Sequence, residues 1–122
     1  MAGGERPVVC LDSIDEVRAV HKMLFNRKFD GPEDVYFGSP FIASVQHKLA
    51  DALAAAEPAH ARDWQEWRDA AGHPEKVEKV RRHLARLGDW WANASPAERN
   101  AYVRDLLAPL LVGEELLGEL TR

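Results

Sequence analysis

The sequence predicts an all-α protein: a compact bundle of four to five main helices, an extended N-terminal arm and a short C-terminal helix. Three observations predict it. Apolar residues recur three and four residues apart along most of the chain. Two Ser-x-x-Glu capping boxes, Ser13 to Glu16 and Ser95 to Glu98, mark helix starts. Breaks at Asp30-Gly31-Pro32, Glu57-Pro58 and Gly72-His73-Pro74 divide the periodic stretches.

The elements follow in order. Residues 1–6 are expected to be disordered. Val8-Val9-Cys10-Leu11 has β-propensity but no strand to pair with. Val8–Leu11 is therefore expected to lie extended on the helices, with strand exchange in a dimer as the alternative; residues 1–11 make a flexible or extended arm and residues 12–122 one helical domain. The first helix starts at Ser13 and carries Ile14, Val17, Val20, His21, Leu24 and Phe25 inward until Gly31-Pro32 stops it. The loop over residues 30–39 holds Tyr36 and Phe37, which should pack on the body. Ser39-Pro40 opens the second helix, with Phe41, Ile42, Val45, Leu49, Ala52, Leu53 and Ala56 as its apolar face. The third runs from about Pro58 to Ala71. The fourth shows a seam of Val77, Val80, Leu84, Leu87 and Trp91 and closes at Asn93-Ala94. Ser95-Pro96 opens the fifth, with Tyr102, Val103, Leu106 and Leu107 inward, and Pro109 should split it from a short terminal helix ending at Leu120.

Composition excludes some functions and leaves others open. A chain of 122 residues suits one domain with one core. A net charge of −4 argues against non-specific attraction to nucleic acid or anionic lipid. No apolar stretch is long enough to span a bilayer. The single cysteine, Cys10, fits a reducing compartment, so a cytoplasmic location is expected. The N-terminus lacks the pattern of a secretory signal. Arginine outnumbers lysine and alanine is abundant, a composition expected of a GC-rich bacterial source.

Four groups of polar residues exceed what a bundle requires. His21 sits in the middle of an apolar face, where it serves either as a satisfied core histidine or as a pocket acid, base or ligand. His60, Trp64 and Trp67 share one helical stripe, which is either a bulky core contact or a wall for a cationic or aromatic ligand. With Tyr36 they make up the candidate ligand-binding set His21, Tyr36, His60, Trp64 and Trp67. Lys79, His83, Arg86 and Trp90 share a stripe of the fourth helix, flanked by Arg82. This set is either a solvated face or a site for a partner or an anion. Asp30, Glu33 and Asp34 resemble a cation loop only loosely, because calcium demands more oxygen ligands than they offer.

No catalytic residue, cofactor or metal site is read from the sequence. The two Glu-x-x-His motifs that a di-iron bundle needs are not both present, and Cys-x-x-Cys and phosphate-binding glycine loops are missing. Cys10 has no activating base nearby in sequence. The function expected first is non-enzymatic protein–protein association, as a homodimer or with another protein. It would use Trp64, Trp67, Trp90 or C-terminal leucines left surplus to the core. A small-molecule site or modest enzyme around the His/Trp set comes second, and nucleic-acid binding through the basic stripe third.

Overall fold

The side chains that predict the helix starts are the ones that make them. Ser13 Oγ accepts the Glu16 amide at 3.2 Å, and the Glu16 carboxylate accepts the Ser13 amide in return. Ser95 and Glu98 repeat the exchange at 2.9 and 3.1 Å. Ser39 Oγ accepts from the Ile42 amide with Pro40 at the first helical position. Each such cap satisfies amides that have no partner inside the helix and contributes about 1 kcal/mol.

The computed structural model describes residues 8–122 and holds seven α-helices in them. These are α1 (Ile14–Asp30), α2 (Pro40–Ala56), α3 (Ala61–Arg68), α4 (Pro74–Ala85), α5 (Asp89–Asn93), α6 (Pro96–Leu107) and α7 (Glu114–Leu120). The fold is the expected all-α bundle, with five main helices, the single-turn α5 and a short C-terminal helix. Short 3-10 turns, Pro58–His60 and Ala70–Gly72, bracket α3, so the single third helix expected over residues 58–71 is three pieces. Asp69 makes the second junction: it leaves the helix in an extended conformation and caps the turn through the Ala71 amide.

α1 and α2 form an antiparallel hairpin, pinned by Lys28 to Gln46 at one end and Arg18 to Glu57 at the other. α6 lies against α2, α4 and α7. The core is mainly aliphatic there: Val77, Val80 and Leu84 from α4, Val103, Leu106 and Leu107 from α6, then Leu110, Leu117 and Leu120. Burying each such side chain stabilises the fold by about 1.5–3 kcal/mol. Phe29 and Phe37 close one side of this core. Gly38 is dictated here, because a Cβ at that position would lie 2.7 Å from the Tyr102 ring.

Several expectations change. α4 does not reach Trp91. It stops at Ala85 because Gly88 takes φ 62°, a left-handed conformation that glycine adopts without strain. Leu87 and Trp91 still pack on the core, so the seam survives as burial while the helix does not. Pro109 divides α6 from α7 as expected, within a cis Ala108–Pro109 peptide. Val8–Leu11 forms no strand. Val8 is 98% exposed and Val9 77%, so the arm does not lie on the helices. The expectation for residues 1–6 lies outside the described residues. In the loop, Phe37 is buried but Tyr36 is not. No helix of the described residues is long and apolar enough to cross a membrane.

Candidate functional site

Two stripes stood out in the sequence, and the fold treats them in opposite ways. Trp64 and Trp67 lie three residues apart on α3, so both face α1, where they meet His21. The ring centroids of His21 are 5.9 Å from Trp64 and 5.3 Å from Trp67, both edge-to-face. The two indoles stand 5.8 Å apart and nearly perpendicular, at 83°. Together with Glu57, His60 and Asp63 these rings line an open cleft of about 500 Å³. His21 and His60 therefore share one cleft.

His21 is 7% exposed, and its Nδ1 is buried without a hydrogen-bond partner among the described residues. Leaving a buried polar atom unpaired costs about 1–3 kcal/mol. Burial, reinforced by the positive charge of Arg68, lowers the His21 pKa, so the imidazole is neutral at pH 7. Among the described residues no carboxylate is hydrogen-bonded to this ring at Nδ1.

The rim is acidic. Glu57 Oε2 accepts the Trp64 indole N–H at 3.2 Å, and its other oxygen pairs with Arg18. These two hydrogen bonds, that of Trp64 first, hold the Glu57 carboxyl below its usual range. The exposed side chains of His60 and Asp63 sit 3.3 Å apart. On the inner side Trp67 packs on Phe25, and its carbonyl accepts the His73 Nε2–H. Tyr36 does not join the set: it lines a separate groove with Leu24, Ile42 and Phe37.

The basic stripe is spent inside the molecule. Lys79 Nζ donates to the carbonyls of Phe29 at 2.8 Å and Gly31 at 2.9 Å, capping the C-terminus of α1. His83 Nδ1 donates to Glu33 at 2.9 Å, and its Nε2 meets the Tyr102 hydroxyl at 2.8 Å. Arg86 reaches the same Glu33 oxygen at 2.5 Å. Burial would raise Glu33, but the bonds from Arg86 and His83 bring its pKa below the ordinary value. Arg82 is exposed, 3.9 Å from Glu78, and lines a small groove with Glu33, Lys79 and Arg86. Trp90 belongs to α5 rather than to the α4 stripe and packs edge-on against Tyr102 at 5.1 Å. The acidic loop is engaged in the same way, with Asp34 bonded to Arg27 at 2.5 Å.

Sequence reasoning missed the two most deeply set cations. Lys28 is 4% exposed and donates to Gln46 Oε1 and to the Asp105 and Ala108 carbonyls at the end of α6. Burial pushes its pKa down to about 7, against the raising charge of Asp105. Arg68 bonds the Pro109 carbonyl, Asp51 and His47 Nδ1. Both were visible in the spacing: Lys28 lies seven residues after His21, and Arg68 four after Trp64, each on the inward face.

The second helix carries a further surprise. Its buried face is Ala43, Gln46, Leu49, Ala50 and Leu53, and Phe41 and Val45 point outward, Phe41 at 81% exposure. By contrast, the C-terminal leucines expected to be surplus are mostly consumed, with Leu110, Leu117 and Leu120 buried and Leu111 alone half exposed. The chain matches no known family, no curated protein and no solved structure, so the geometry of these surfaces is what bears on its function.

Proposed function

We propose that this chain works by binding rather than by catalysis, and that its ligand contact is the cleft floored by His21 and walled by Trp64 and Trp67. One observation carries this reading. The cleft gathers both tryptophans of α3 and two histidines around open space, while the other conspicuous polar stripe is consumed by contacts within the chain. Concave sites with aromatic walls and a few polar groups are where ligands and partner side chains settle. That no carboxylate among the described residues holds the Nδ1 of the neutral His21 favours recognition over acid–base chemistry.

The test is a titration of the ¹⁵N-labelled protein with three small probes: benzyl alcohol, propylammonium and propionate. At least one should shift the indole N–H signals of Trp64 and Trp67 while those of Trp90 and Trp91 stay put. If all three leave both cleft signals unmoved at several millimolar, the reading is wrong.

A second reading is favoured by α2. Its outer face exposes Phe41 and Val45, and the whole helix carries only two charged residues, Lys48 and Asp51, the latter paired to Arg68. A face with so little charge has nothing to select an unlike partner electrostatically, whereas a second copy presents the same apolar residues in an isologous contact. Sedimentation equilibrium should show a dimer that Phe41→Glu dissociates. A wild-type protein that stays monomeric at high concentration rules this reading out. The basic stripe offers little support for nucleic-acid binding, since Lys79, His83 and Arg86 already hold internal partners. A cytoplasmic, bacterial setting remains part of the proposal, resting on composition alone.

A further inference from the structure

We infer that the cleft between α1 and α3 recognises an organic cation, an alkylammonium group, held over the indole faces of Trp64 and Trp67 and against the carboxylates of Glu57 and Asp63. This rests on the cleft being a binding site and adds the chemical class of what it binds.

Four features of the cleft carry the choice. First, its two large walls are perpendicular indoles. Ring faces carry the negative part of the aromatic quadrupole, and two faces at a right angle surround a compact cation better than a flat ring. Second, the two ionisable acids of the lining are Glu57 and Asp63, and among the described residues no lysine or arginine lines the space. An anion would be repelled there. A neutral ligand could at most donate hydrogen bonds to the carboxylates and would gain no charge attraction from them.

Third, the charged neighbours leave room for a cation. Arg18 takes one Glu57 oxygen from outside the cleft, and Arg68 acts on His21 only through space. Asp63 is met by His60 alone, at the exposed rim. The floor is uncharged, because burial and Arg68 both oppose protonation of His21. Fourth, His21 is more than nine-tenths buried with an unpaired Nδ1. Packing alone gives no reason to keep an imidazole there instead of a phenyl ring, since buried polar groups are normally satisfied. A polar floor beneath two indoles suits a site that takes up a polar guest.

The experiment compares three probes on the full chain at constant ionic strength. They are tetramethylammonium, an uncharged analogue in which a tert-butyl group stands for the ammonium head, 3,3-dimethyl-1-butanol, and a blocked Gly-Gly-Lys-Gly-Gly peptide. Binding is read from the Trp64 and Trp67 indole signals. The cation should bind at least about fivefold tighter than the uncharged analogue, the margin typical of a partly exposed cation–π site. Trp64→Ala should weaken it about tenfold or more, and Glu57→Gln by a smaller factor, with Trp90 and Trp91 signals unchanged as the check on folding. Tighter binding of the lysine peptide than of tetramethylammonium assigns the site to a partner protein's side chain, and the reverse assigns it to a free small molecule.

Equal binding of tetramethylammonium and its uncharged analogue overturns the cation assignment while leaving the cleft as a site. Cation binding that survives both substitutions unchanged overturns it too, because the cation would then sit elsewhere. If neither these probes nor benzyl alcohol move the two indoles, the cleft itself is not a binding site.

Discussion

The His21–Trp64–Trp67 cleft and the Lys79–His83–Arg86 stripe look alike as sequence. Each is a run of chemically capable side chains at helical spacing. The fold separates them by what it places opposite. Facing α4 are the end of α1, Glu33 and Tyr102, and these supply an acceptor or donor for every stripe residue that turns inward. Facing α3 is His21 on α1, whose Nδ1 stays unpaired, and beyond it open space. A stripe is thus open to a ligand or already committed according to whether the fold leaves space and an unpaired polar atom opposite it, and spacing along one helix does not carry that information.

The sharpest way to break this contrast is to substitute one residue from each side. Lys79→Met should be the most damaging, at about 2–3 kcal/mol. It removes charge-assisted bonds to carbonyls at the end of α1 and leaves them partly buried and unpaired. Urea denaturation measures the loss. Binding at the cleft should be unaffected in the folded fraction. Trp64→Ala should reverse the pattern. Trp64 is only half-buried, so the cost in stability falls to about 1–2 kcal/mol, below that of a fully buried tryptophan, while cleft binding is lost. If Lys79→Met proves harmless and Trp64→Ala unfolds the protein, the roles assigned to the two stripes are exchanged.

A smaller effect is expected at Glu33. Glu33→Gln weakens the contacts to His83 and Arg86 near the surface, and such pairs contribute less than about 1 kcal/mol. A loss of several kcal/mol would mean that the stripe is held by this carboxylate rather than by Lys79.

Most of the fold was legible because helix starts and stops are local chemistry. Ser13, Ser39 and Ser95 each act on an amide three residues away, so the sequence contains the whole interaction. The end of α4 was harder to see. The spacing of Leu84, Leu87 and Trp91 continues across the turn at Gly88, since all three pack on one core whether or not a helix joins them. The outer face of α2 was misassigned for a related reason. An alanine-rich helix offers several candidate faces, and the one chosen by packing holds Gln46, whose partner Lys28 is eighteen residues away. The candidate site was half legible. Trp64 and Trp67 declared themselves by spacing and His21 by its apolar neighbours. That they meet, and that Tyr36 does not join them, depends on how α3 docks on α1, which no local pattern specifies.

The subtlest prediction concerns acid. The His21 pKa is lowered by burial first and by Arg68 second. The unfolded chain therefore binds a proton at this residue at a higher pH than the folded one does. Stability must fall as pH drops below the ordinary histidine value of about 6.5, and the full penalty is reached once the folded-state pKa is passed. His47 is shifted in the same direction by burial and Arg68, so the wild-type slope contains both. Lys28 acts in a separate window, between about 7 and 10.5, where stability also rises with pH. His21→Phe keeps an aromatic floor and removes one titration, so its stability should decline less steeply than wild type between pH 6.5 and 5, measured by urea denaturation at each pH. Identical slopes would show that His21 does not enter the acid response. The same protonation puts a positive charge beneath Trp64 and Trp67. Cation binding at the cleft should therefore weaken in the wild type as the pH falls through the lowered folded-state pKa of His21, and weaken less in His21→Phe, which keeps only His60 among the histidines of the cleft.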